Sequence, residues 1–290
     1  MKKIGIILLM LIALLFTGCR GMYDRYDETG FLSGEGEISE LVKNIEIFWH
    51  TGDILIEYGE TETIKIEEKS DYVINSSEEV RYKYENQNLT IRYCQSNLLL
   101  PAANFEKNLK IIVPNDYVFD TLSVINITGD LFLKVNCEST NVEVVTGDVI
   151  SNNNYKEASY DIDVVTGNIK VNSFQTNKFT SHLVTGDINL NTQKVTGGVF
   201  VEAVTGNVLM ELGYWIGGGN IDLVTGDIEI YTDKLNNVQI NYDIVTGDID
   251  FSLNASQLSN DTIKIGDCTY TLNIDVTTGD LKIIDRARVE

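Results

Sequence analysis

The chain has 290 residues, 43% of them apolar, which supports a packed core and excludes a disordered protein. Its 43 acidic against 22 basic residues give a net charge of −21, a balance that repels nucleic acid and anionic lipid headgroups. That length fits one large all-β domain or two ordinary ones.

The chain opens with "MKKIGIILLMLIALLFTGC": two lysines, a mostly apolar run from Ile4 to Phe16, and small residues ending at Cys19. The run is shorter than the roughly 20 residues a membrane span needs, so residues 1–18 read as a secretory signal. Thr17-Gly18-Cys19 resembles the lipobox of bacterial lipoproteins. The resemblance implies that Cys19 is acylated and tethers the exported chain to the outer face of the cell membrane through lipid. Loss of Lys2 and Lys3 with the signal leaves 20 basic against 43 acidic residues, net −23. Residues 19–30, rich in charge and without periodicity, read as a tether.

From about Phe31 the pattern is strand after strand. A period of two runs through Ile45, Ile47 and Trp49, and again through "DILIE" (53–57), "TIKIE" (63–67), "VRYKY" (80–84) and "LTIRY" (89–93). Pro101 and Pro114 fall between predicted strands, where a missing amide donor does least harm. Residues 31–127 are expected to form an N-terminal β part that caps one end of the segment from Thr128 onward.

At Thr128 a repeat takes over. Thr-Gly pairs place corner glycines at Gly129, Gly147, Gly167, Gly186, Gly206, Gly226, Gly247 and Gly279, with an earlier member at Gly52. The steps from Gly129 to Gly247 are 18, 20, 19, 20, 20 and 21 residues. A fixed period near twenty is the signature of a solenoid, in which each turn of chain stacks on the last. In "VVTGNIKVN" (164–172) apolar residues run to the corner, Thr and Gly turn it, and Ile169 and Val171 then face one way while Asn168 and Lys170 face the other. Ile188 and Leu190, Ile228 and Ile230, and Ile249 and Phe251 repeat the pattern. The expectation over 128–290 is an all-β, right-handed, parallel β-helix-like solenoid with coils of about 20 residues. "LKIIDRARVE" (281–290) is expected to close its far end. An outward row of Asp148, Asn168, Asp187, Asn207, Asp227 and Asp248 adjoins the corners.

These features, "LKIIVPNDYVFDTLSVINITGD" (109–130) and the run of "VTGD" turns to Thr278-Gly279-Asp280, resemble the toastrack-type putative adhesins, a bacterial domain family. The resemblance covers roughly residues 31–290. It implies a repeated β architecture with an adhesin-like role and brings no catalytic residues.

Little in the sequence speaks for catalysis or for a cofactor. Ca²⁺ takes about six to eight oxygens, whereas a single outward ladder of Asp and Asn offers one or two side chains from one side, so no metal is expected there. Asp161 with Asp163, and Asp248 with Asp250, share a strand face as paired catalytic carboxylates would, but any strand with alternating Asp does so. A lyase acting on acidic polysaccharide also needs cations, and Lys156, Lys170, Lys178, Lys194 and Lys234 are scattered. His50 and His182 sit near corners, outside any zinc or hydrolase motif. Arg81, Lys83 and Arg92 lie near tyrosines and are expected to pack across the sheet. Cys94, Cys137 and Cys268 are odd in number and far apart.

Two breaks in the repeat are the better candidates for recognition: "ELGYWIGGGN" (211–220), with Tyr214 and Trp215, and the apolar "SNLLLPAANF" (96–105). The reading is an exported, non-catalytic binding scaffold whose partner is a cell-wall polymer or an envelope or surface protein. The alternatives are a polysaccharide-active enzyme and an accessory protein in the response to envelope stress.

Overall fold

The computed structural model describes residues 25–96, 106–235, 237–253, 257–259 and 261–286. The signal, Cys19, most of the apolar loop (97–105) and the last four residues lie outside the described residues. Among those described the architecture is all-β, a solenoid of short parallel strands, and no helix is long and apolar enough to cross a membrane. The chain divides into two compact units, Met1–Asn152 and Asn153–Glu290.

In the first unit the strands before and after each corner form two rows of parallel strands. One row runs Asn88–Arg92, Asn44–Thr51, Val118–Thr128, Asn136–Thr146. The other runs Lys107–Pro114, Ile54–Gly59, Leu131–Lys134, Val149–Asn153. Residues 44–59 thus form a full coil in register with the repeat, and the earlier Thr-Gly corner at Gly52 belongs to the same ladder. Antiparallel strands cover the outermost coil: Arg81–Glu85 pairs with Asn88–Arg92, and Ile64–Ser70 with Lys107–Pro114. Unpaired strand edges invite association, and these two strands close them. Residues 26–28, expected in the tether, pack instead on this unit. The Tyr26 hydroxyl donates to the Cys94 carbonyl at 2.6 Å, and its ring lies 4.9 Å from that of Phe31.

In the second unit the rows before and after each corner run in the same way, with one change of order. Strands Val199–Thr205, Gly219–Thr225, Tyr270–Thr278 and Val238–Thr246 are neighbours in that sequence. After the corner, Ile228–Leu235, Leu281–Asp285 and Ile249–Ser252 take the same order. The last coil of the chain is therefore inserted between the two coils that precede it. The expectation that residues 281–290 close an end is corrected: Leu281–Asp285 is paired on both sides. The cause is local. After Ser252 the chain reverses through antiparallel strands ending at Thr262–Ile265, and Asn237 receives the returning segment, its side-chain oxygen accepting the Asp267 amide and its carbonyl the Tyr270 amide.

The corner explains its own sequence. Seven corner glycines, Gly52, Gly129, Gly167, Gly186, Gly206, Gly226 and Gly279, donate their amides to the Thr carbonyl of the neighbouring coil at 2.8–3.0 Å. A Cβ on Gly206 would fall 1.6 Å from the Gly186 carbonyl oxygen, and one on Gly226 1.9 Å from that of Gly206. With φ of +138° and +135° as well, only glycine fits there. The residue after the glycine is Asp or Asn for an equally specific reason. Its side-chain oxygen accepts the backbone amide of its counterpart one coil on: Asp53 from Asp130, Asp130 from Asp148, Asn168 from Asp187, Asp187 from Asn207, Asn207 from Asp227, Asp227 from Asp280 and Asp280 from Asp248. The Asp row is thus a structural hydrogen-bond ladder.

Candidate functional site

Trp215 and Tyr214 part company. The strand Val208–Trp215 alternates from Val208 to Leu212 and then shifts phase at Gly213, so that Trp215, 2% exposed, takes the inward position beside Val195 and Leu235 of the adjoining coils. Its indole N–H has no hydrogen-bond partner among the described residues. As a recognition residue Trp215 is therefore corrected to a core residue: the phase shift at Gly213 turns its bulky ring inward and the Tyr214 ring outward. Tyr214 faces outward and is 52% exposed.

Register gives Tyr214 its neighbours. It pairs with Lys194 on one side and Lys234 on the other, so Lys194, Tyr214 and Lys234 form an outward row across three coils, extended by Gln175 opposite Lys194. The spacing is one period of 20 residues each way, so the row was latent in the sequence even though these lysines look scattered along it. Phe174 and Ile216, next in sequence to Gln175 and Trp215, are also exposed. An aromatic face flanked by two ammonium groups on strands about 4.8 Å apart offers a stacking surface and two charge-assisted donors, the chemistry that holds an anionic sugar polymer. It stands out because the chain is otherwise so acidic.

Other candidates resolve into structure. Lys107 is fully buried, its ammonium 2.9 Å from Glu68 and bonded to the Glu78 carbonyl, with the Tyr93 and Trp49 rings 4.5 and 5.2 Å away. Burial pushes its pKa down and Glu68 opposes the shift. Both Glu68 oxygens also accept the Val80 amide, so this centre pins the covering strands to the outer coil. Arg92 binds Glu46 at 2.9 Å and lies over the Tyr26 and Phe48 rings; Arg81 donates to the Ser76 carbonyl and Lys83 pairs with Glu85. His50 contacts the Thr51 hydroxyl at 3.0 Å. Cys94 and Cys137 are buried thiols, and Cys268 is a partly buried one. A groove of about 510 Å³ in the first unit is lined by Leu55, Phe132, Glu35, Glu67, Lys69 and Lys110 among others. Leu55 and Phe132 are register partners, which gives that groove an apolar stripe.

The outward face of the second unit also carries a row of a different kind. Asp163, His182, Glu202, Asp222, Asp275 and Asp243 are successive register partners. Beside it Asn220, Asn273 and Asn241 are linked amide to amide at 2.7 and 2.9 Å. Nδ1 of His182 lies 2.6 Å from an Asp163 carboxylate oxygen, and that hydrogen bond raises the imidazole pKa against the opposing effect of burial.

The family model described as Toastrack DUF4097 matches residues 42–284. The chain belongs to this toastrack family. Solved structures similar to this toastrack chain include a putative adhesin from Parabacteroides merdae, at 13% identity, 87% coverage of this chain, 96% of that one and a TM-score of 0.44. Another, from Bacteroides fragilis, is 11% identical over 88% and 97% of the two chains with a TM-score of 0.43. A third, from Parabacteroides distasonis, is 10% identical over 89% and 100% with a TM-score of 0.38. No curated protein matches the chain.

Proposed function

We propose that this toastrack protein is an exported, non-catalytic binding scaffold, held to the membrane by lipid on Cys19, whose second unit binds an anionic cell-wall polymer through Tyr214, Lys194 and Lys234. The observation that carries the reading is the half-exposed tyrosine set in register between two lysines on a chain of net charge −21. Such a row repels nothing anionic locally while the rest of the surface prevents indiscriminate adsorption. The adhesin names of the similar structures agree with a surface role. The signal and Thr17-Gly18-Cys19 support export and anchoring.

The test is sedimentation of the full chain with isolated cell walls, with the supernatant assayed for protein and for released sugar. Depletion of protein without sugar release is expected, and Tyr214→Ala or the Lys194→Gln/Lys234→Gln pair should weaken retention about tenfold or more. Sugar release, or retention indifferent to both variants, overturns the reading. Anchoring is checked separately, by whether Cys19→Ser moves the protein out of the membrane fraction.

A further inference from the structure

We propose that Asp161, Asp163 and His182 form a binding site for a first-row divalent transition cation, with Zn²⁺ the best match to the donor set. Asp161 and Asp163 stand two residues apart on the strand Ala158–Thr166 and so share its outward face. His182 is the register partner of Asp163 on the next coil, and Thr180 is the partner of Asp161. One ligand atom from each of Asp161, Asp163 and His182 lies within 4.8 Å of the other two. With bonds of about 2.0–2.2 Å, tetrahedral zinc ligands sit roughly 3.4 Å apart, so a rotation of the exposed Asp161 side chain closes the set.

Two further features favour a cation over a simple His–Asp pair. Glu202, the register partner of His182 on its other side, adds a third carboxylate. Three neighbouring carboxylates repel one another, and a dication offsets two of the three charges. Second, the hydroxyl oxygen of Thr180, the register partner of Asp161, is shut off from solvent and has no hydrogen-bond partner among the described residues. The donor types select the ion. Imidazole with carboxylates suits Zn²⁺ and its neighbours, whereas Ca²⁺ and Mg²⁺ prefer oxygen-only shells. The cation would clip the coil at 158–166 to the one at 179–185, with water filling its remaining positions.

The experiment is titration of the chelator-stripped full chain with Zn²⁺ by calorimetry, together with the visible spectrum of the Co²⁺ form. One equivalent of saturable binding is expected, with Co²⁺ bands of a low-coordinate site. His182→Gln and Asp161→Asn should each weaken Zn²⁺ binding about 10- to 100-fold. Asp243→Asn removes the same charge from the far end of the same row and should leave affinity within about twofold; Cys268→Ser should do likewise. Absence of saturable binding overturns the site. So does an equal loss in Asp243→Asn, which would mean diffuse attraction to the acidic row, or a loss in Cys268→Ser, which would mean thiolate ligation.

Discussion

A corner glycine here answers two demands, positive φ and close stacking on the next coil, and other glycines of the chain separate them. Gly34 has φ +82°, but a Cβ there meets nothing nearer than a Glu79 carboxylate oxygen at 3.8 Å. Gly226 has φ +135° and would drive a Cβ to 1.9 Å from backbone. Gly34→Ala should therefore cost about 1 kcal/mol, the conformational strain alone, and Gly226→Ala at least about 3 kcal/mol, both read from denaturant midpoints. Equal costs would mean that stacking contributes nothing. The following Asp is tested by chemistry, not by charge: Asp227→Asn keeps the oxygen that accepts the Asp280 amide and should be nearly neutral, while Asp227→Ala should lose about 1 kcal/mol. Cysteine reactivity follows burial in the same way. Burial pushes the Cys137 thiol up to about 12, so it stays protonated at neutral pH in the folded chain. The unfolded thiol ionises near pH 9, so folding is favoured by this group below that and the advantage is lost as pH rises toward 12. Iodoacetamide at pH 8.5 should label Cys268 and spare Cys94 and Cys137, as peptide mass mapping would show.

Strands were legible in the sequence because alternation and the corner chemistry are both local. "VTGDIEIY" declares its inward Ile228 and Ile230, and the structure buries both. The period near twenty likewise declared the stacking of successive coils. What one period does not specify is which coil a strand joins when two neighbours offer the same corner. Tyr270–Thr278 carries the same Thr-Gly-Asp ending as the rest, and it pairs with Gly219–Thr225 and Val238–Thr246 at once. That choice is set by the antiparallel reversal after Ser252, which has no period. The same limit hid the Lys194–Tyr214–Lys234 row, visible only once strands are aligned, and misread Trp215, where two adjacent aromatics had to be assigned to opposite faces. The inserted coil has a consequence for truncation. Were Leu281–Asp285 an end, removing residues 267–290 would trim one coil; because it is internal, the loss bares the pairing edges of Ile228–Leu235 and Ile249–Ser252 together. Truncation before Asp267 should therefore yield aggregated protein by light scattering, and a stable monomer would contradict the insertion.

Across the molecule as a whole the dominant long-range quantity is charge. At −21 the folded chain repels itself, and part of that repulsion is organised, since Glu202, Asp222, Asp275 and Asp243 are neighbours in register. Carboxylates about 4.8 Å apart repel by roughly 1 kcal/mol per adjacent pair even at the dielectric constant of water. The Debye length shrinks from about 30 Å at 0.01 M salt to about 3 Å at 1 M, so the row passes from inside the screening distance to beyond it. Sodium chloride should accordingly raise the melting temperature of the chelator-treated chain. General strengthening of apolar burial by salt would do the same, so the discriminating measurement is a variant. Glu202→Gln/Asp222→Asn removes two adjacent repulsions, about 2 kcal/mol at low salt, and should raise the low-salt melting temperature by about 5 °C. At 1 M salt the variant and the parent chain should melt together. A gap that persists unchanged at high salt would show that the substitutions act through packing, and that the acidic row costs the fold nothing.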